Sequence, residues 1–264
     1  MDTIKNSMLR DTNKTEEYFR EFVHRKEVSI DKAILKIDLG ETSLERVPIV
    51  MRSIGASNLR VVVAKYSGGY PISEIKLDYL ELLKNFNNYW LEGYVLFRDG
   101  AKELKQYLDY DDMLWMLSLG ILLNVSDVDF KVLVDLINRD KVSDLIYNYF
   151  IYSKLNSGNT YREETYEYGW KLYASIREII KNQRTIEEKI KLLNAYLSTE
   201  WKTDHKEMLK SLSSPHDTYY GAWSFESAAI VAILDLDDSS FRDNQYYPKD
   251  LVDYYRSNQQ NQLG

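Results

Sequence analysis

From Ser73 onward Ile75, Leu77, Leu80, Leu82, Leu83 and Phe86 are set between charged residues, most of them three or four positions from another of the set. That period matches the 3.6-residue turn of a helix and gives one apolar face. The same rhythm, read along the whole chain, predicts helices near 14–38, 42–66, 73–97, 100–122, 127–138, 140–154, 161–181, 186–199, 216–235 and 248–257. Four of these begin at a capping-box pattern: Thr42 with Glu45, Ser126 with Asp129, Thr160 with Glu163, and Thr185 with Glu188. In such a box the hydroxyl accepts from an orphan backbone N–H while the acidic side chain reaches back to the cap. Val61-Val62-Val63 suits a strand on propensity, but no hairpin signal lies nearby, so it is read as buried helix. Ser67-Gly68-Gly69-Tyr70-Pro71 is the sharpest break.

The expected fold is all-α, a compact protein of about ten helices in two packed halves, 1–123 and 124–264, with the polar stretch 154–159 as a hinge loop. Composition agrees: 11 Gly and 4 Pro in 264 residues are too few for the turns of an all-β fold. Twenty-two Tyr stand against 8 Phe and 5 Trp, a choice that suits layers half in a core and half at an interface.

Chemistry is narrowed by what is missing. The absence of Cys excludes disulfides and thiolate chemistry. His24, His205 and His216 have no metal-ligand spacing and are expected at the surface or at helix caps. Glu74-Ile75-Lys76 and Glu187-Glu188-Lys189 could each be half of a metal-dependent nuclease site, but both lie in amphipathic helix, where such charges form a solvated face. The N-terminus has no signal-peptide pattern and no run approaches the apolar length of a membrane span, so a cytoplasmic protein is expected. No cofactor or metal is implied. The net charge of −7 disfavours direct nucleic-acid binding and would speed encounter with a basic partner.

Two acidic clusters stand out. Asp109-Tyr110-Asp111-Asp112 opens an apolar run, where the helix dipole welcomes it. Asp235-Leu236-Asp237-Asp238 closes another, where it is unhelpful to a helix and so points to a partner. Between them, Glu226 sits in the apolar segment Tyr219–Ile230, ahead of which Ser214 and Pro215 look like a helix start. A carboxylate so placed must be paired or hydrogen-bonded, tying its helix to an Arg, Tyr or Trp.

YYGAWSFESAAIVAILDLDDSSFRDNQYYPKDLV, from Tyr219 to Val252, resembles the C-terminal signature of the PoNi immunity proteins, with Tyr219, Tyr220, Gly221, Trp223, Glu226, Pro248 and Asp250 as its marks. It departs at Ala222, a family position often aromatic. Leu9-Arg10-Asp11, Glu17-Tyr18-Phe19, Ala64-Lys65-Tyr66-Ser67-Gly68-Gly69-Tyr70 and Leu117–Leu123 are further points of similarity. The resemblance implies a helical, non-enzymatic protein that binds a cognate antibacterial toxin delivered by a secretion system. That toxin is expected to be a DNase of the PD-(D/E)xK superfamily with a basic active-site cleft. Contact residues expected on this basis are Asp235, Asp237 and Asp238 with Asp243, Tyr246 and Tyr247. A helical scaffold or regulator with another partner, and a metal-dependent hydrolase using Glu226, are the alternatives. An exposed aromatic patch would also suit a homodimer.

Overall fold

The computed structural model describes residues 9–98, 105–156, 172–181 and 184–263. Among the described residues the fold is all-α apart from one two-stranded ribbon. It divides into two compact units, residues 1–95 with 210–222 and residues 96–209 with 223–264.

In the first unit α1 (Glu16–Asp38) packs on α2 (Val47–Ser67), and α2 packs on α3 (Ile72–Tyr89). Thr15 caps α1 by accepting from the Tyr18 N–H. Val61, Val62 and Val63 are buried inside α2, as the helical reading required. Gly55 lets α3 come close, since a Cβ there would lie 2.5 Å from the Tyr89 Cβ. On α3 the buried face is Ile75, Tyr79, Leu82, Leu83 and Phe86, whereas Leu77 is exposed. By length and composition α2 could cross a membrane, an apolar run longer than the sequence pattern suggested; its Ile54, Gly55 and Leu59 are buried within the unit.

α2 starts five residues later than expected. Thr42 and Glu45 lie in the preceding turn, and Pro48 in the first helical turn fixes the start. Pro is favoured there because its missing N–H would be an orphan anyway.

In the second unit, β1 (Leu96–Arg98) and β2 (Lys105–Tyr107) pair antiparallel, with Phe97 opposite Gln106. The expected helix 73–97 thus ends at Tyr89, and the expected helix 100–122 begins only at Tyr110. α4 (Tyr110–Leu122) follows, with Asp111 and Asp112 in its first turn, and is buried on every side. α5 (Asp127–Asp140) and α6 (Leu145–Leu155) pack on it, α7 (Ala174–Ile180) packs on α6, and α8 (Ile186–Ala195) packs on α7, followed by a π-helical turn Tyr196–Glu200 and the short α9 (Trp201–Asp204) and α10 (Lys206–Lys210). Ser126 caps α5, and the Thr185–Glu188 box at α8 closes in both directions. Thr160 and Glu163 lie outside the described residues. α11 (Phe225–Leu234) packs on α4, and α12 (Lys249–Leu263) packs on both.

Among the described residues ten tyrosines are buried. Seven of the twelve largest fully buried side chains are Tyr, namely Tyr66, Tyr79, Tyr107, Tyr147, Tyr173, Tyr196 and Tyr219. Several carry their hydroxyls to buried carboxylates: Tyr107 donates to Asp140 at 2.9 Å and Tyr110 to Asp144 at 3.1 Å. A ring with a donor at its tip satisfies an acid that phenylalanine would leave bare.

Candidate functional site

The segment expected as a helix from 216 begins its helix only at Phe225. Its first half is irregular, with backbone groups engaged elsewhere. In the first unit the Tyr219 carbonyl accepts from the Tyr18 hydroxyl at 2.8 Å, and the Tyr220 carbonyl from the Ser67 hydroxyl at 3.0 Å. Gly221 has φ of +122°, open only to glycine. In the second unit the Ser224 N–H donates to the Tyr246 carbonyl at 2.8 Å.

The N-terminal motifs converge on the same place. Arg10 donates to the carbonyls of Tyr66 and Tyr70 at 3.0 and 2.9 Å, closing the end of α2. Asp11 accepts from the Tyr219 hydroxyl at 2.6 Å. Tyr219, Tyr220 and Gly221 thus knot the first unit together. Trp223 is buried in the second unit, as is Pro248, which precedes α12; Asp250 lies in the first turn of α12.

Glu226 is fully buried, and its Oε1 accepts from the Tyr196 hydroxyl at 2.8 Å and the Ser224 hydroxyl at 2.5 Å. Its Oε2 is buried without a hydrogen bond. The expected tie to a Tyr is present. Nearby, His205 is buried rather than at the surface. Its Nδ1 lies 2.8 Å from the Trp201 carbonyl, which can only accept, so Nδ1 carries the proton of that bond. Its Nε2 lies 2.9 Å from the Tyr173 hydroxyl, which reaches Asp111 at 2.7 Å. Trp201 stacks on His205 and on Tyr246, ring centres 4.4 Å apart in each case. His24 and His216 are exposed as expected. Apart from Trp201, one turn before His205, the members of this network lie on α4, beside α7 and in the C-terminal segment, so local sequence does not signal it.

Burial pushes the Glu226 carboxyl above the ordinary glutamate range, against the pull of His205 and the two hydroxyls. The folded state then keeps this proton to higher pH than the unfolded chain. The contribution to stability is complete below the unfolded value of about 4.3 and is lost as pH rises through the folded value. Glu226→Gln should remove that fall. Thermal midpoints from pH 4 to 8 should decline less in the variant, and parallel curves would refute the assignment.

The six expected contact residues divide into two sets. Asp238 is buried and accepts from Arg242 at 2.9 Å, Tyr247 at 3.0 Å and Arg256 at 3.4 Å. Tyr246 and Tyr247 are buried too, Tyr247 edge-on to Phe241 at 5.2 Å. These three face inward and hold the turn. Asp235, Asp237 and Asp243 face outward. Asp235 takes the left-handed position that ends α11, 89% exposed and 3.5 Å from Arg256. Asp237 folds back on Ser239, accepting from its N–H and hydroxyl at 3.0 Å each, which holds its carboxyl below the usual aspartate range. Asp243 is 92% exposed, and the Lys249 ammonium at 2.8 Å likewise draws its carboxyl down. Arg242 also pairs with Asp253. The result is an acidic turn fastened from within.

Among the described residues, no group of three or more His, Asp or Glu is placed to hold a metal. Glu74 instead lies 3.7 Å from Lys65 in a cluster with Asp78 and Glu27, and Glu188 is spent in the α8 box.

Comparison with known proteins gives two family matches. Residues 10–135 match the PoNe immunity protein (PoNi), N-terminal family, and residues 142–251 match the PoNe immunity proteins (PoNi), C-terminal family. The fold is similar to the crystal structure of protein PA2201 from Pseudomonas aeruginosa. That similarity has a TM-score of 0.59 and 17% identity, and covers 91% of this chain and 88% of that one. No curated protein matches the chain.

Proposed function

The chain belongs to the PoNi family of immunity proteins, and on that premise we propose that it neutralises a cognate antibacterial DNase by stoichiometric binding in the cytoplasm, without catalysis of its own. The family match over both parts of the chain carries this reading. The acidic turn supports the mode of binding. Asp235, Asp237 and Asp243 are held outward on a frame fixed by Asp238, and a nuclease must offer a basic cleft to its own substrate. Fixed, complementary charge of this kind raises the association rate more than it deepens affinity. The drawn-down carboxyls of Asp237 and Asp243 keep their charge below the pH at which ordinary aspartates lose it.

Co-expression with a toxin domain encoded beside this chain tests the reading. Growth should be rescued and a complex should co-purify. With purified proteins, D235N/D237N/D243N should slow association about tenfold at low salt and flatten its salt dependence. Rescue without a complex would replace binding with an enzymatic mechanism, and unchanged kinetics in the triple variant would remove the acidic turn from the interface.

A further inference from the structure

Exposed apolar side chains are concentrated at one place on the first unit. Of the twelve large exposed hydrophobics among the described residues, five (Ile34, Leu35, Leu39, Leu44 and Ile49) lie at the end of α1, the turn after it and the start of α2. Leu44 is 90% exposed and Leu39 is 63% exposed. Single exposed leucines are ordinary, but a cluster of them marks a surface that another molecule covers.

Beside the cluster opens a groove of about 700 Å³. Lys32, Lys36 and Arg46 line it against one carboxylate, Glu41, with the hydroxyls of Thr42 and Ser43 between them. Among the described residues none of the three cations has a side-chain hydrogen bond or ion pair. On a chain of net charge −7, three unspent cations around one groove run against the general balance. Along α1, Lys32, Lys36 and Leu39 follow at four- and three-residue steps, with Leu35 three from Lys32 and four from Leu39. Those steps place all four on one side of the helix, so the basic groove and the apolar cluster are continuous.

We propose that this α1–α2 tip docks an acidic amphipathic helix of the toxin polypeptide, its carboxylates in the groove and its apolar side chains on Leu35, Leu39 and Leu44. The proposal rests on the immunity reading above. The charges favour a polypeptide over an anionic membrane. From 31 to 46 the three cations are outnumbered by Asp31, Asp38, Glu41 and Glu45, a net charge of −1, so the tip has no net attraction for an anionic sheet, which acts on summed charge. Discrete carboxylates reach the three cations alone. A small anion would fill the groove and leave Leu44 and Leu39 in water.

The test is calorimetric titration of the full chain with the neighbouring toxin domain, the toxin carrying an inactivating substitution. K32E/K36E/R46E and, separately, L39S/L44S should each weaken binding at least tenfold, with circular dichroism and thermal midpoint unchanged. Should the triple reversal misfold, Leu44→Ser alone carries the same test from an almost fully exposed position. If the tip variants bind like wild type while D235N/D237N/D243N binds more slowly, the tip proposal falls and the immunity reading stands. If wild type does not bind the toxin, both fall. Sedimentation of wild type, but not of L39S/L44S, with phosphatidylserine vesicles at unchanged toxin affinity would assign the surface to a membrane and overturn the proposal.

Discussion

Asp144→Ala is expected to cost the second unit about 4 kcal/mol of stability. Asp144 has no exposed surface. It caps α6 by accepting from the N–H groups of Ile146 and Tyr147 at 2.9 and 3.1 Å, and it accepts from the Tyr110 hydroxyl at 3.1 Å. Arg177 and Gln106 approach it at 3.4 Å each. Loss of a helix cap alone costs about 1 kcal/mol, and a buried donor left without its acceptor costs about 1–3 kcal/mol. These losses overlap, because one relaxation can serve several donors. Burial also pushes the Asp144 carboxyl up, in spite of Arg177 and the backbone N–H groups. The ionised form is thus held at a cost, and replacing the whole cluster by apolar residues could be neutral. Removing the acid alone is different, since the Arg177 charge, itself 8% exposed, stays behind. Asp144→Asn keeps an oxygen for the cap and for Tyr110, so about half the loss is expected. Urea denaturation of the three proteins measures this. A loss under about 1 kcal/mol for the alanine variant would show that the cluster reorganises around the gap.

Local pattern was enough for the helical elements and their core. The α3 face, the Val61–Val63 burial and the caps at Ser126 and Thr185 follow from residues within one or two turns of one another. It failed where a distant partner decides. Tyr219–Ser224 is apolar and small enough to read as helix, yet its conformation is set by Tyr18, 201 residues earlier, and by Tyr246. Thr42 and Glu45 have the spacing of a box, but the position of Pro48 outranks them. Leu77 shows the limit of a period alone: it keeps the rhythm of α3 and still points to water.

The same limit governs the site. Asp235, Asp237 and Asp238 are near neighbours with the same side chain, and sequence treats them alike. Arg242, Tyr247 and Arg256 turn Asp238 inward while the other two stay in water. The family signature was legible because it is a string; its structural meaning, a knot made with Asp11, Tyr18 and Ser67, was not. Tyrosine content hinted at an interface, whereas most of the large buried tyrosines satisfy internal carboxyls and carbonyls.

Asp238→Ala should separate the frame of the acidic turn from its charge. The carboxylate binds two guanidinium groups and a phenol at once, and Arg256 spends a further N–H on the Leu236 carbonyl at 2.6 Å. Breaking a buried pair costs about 3–5 kcal/mol. Here Arg242 and Arg256 are 32% and 30% exposed, so water can take over part of their solvation, and about 2–3 kcal/mol is expected. Without Asp238, Arg256 is free to swing towards Asp235 or solvent, and Tyr247 loses the bond that fixes its ring against Phe241. The outward aspartates would then keep their charge and lose their arrangement. Attraction at long range depends on summed charge, so toxin association should slow only slightly, while dissociation should quicken about tenfold as the contact geometry loosens. D235N/D237N/D243N should do the reverse: stability is retained, association slows, and dissociation changes less. Surface plasmon resonance at two salt concentrations, paired with thermal midpoints, reads both halves of this contrast. If Asp238→Ala lowers the midpoint but leaves dissociation unchanged, the turn is internal scaffolding and the toxin is gripped elsewhere.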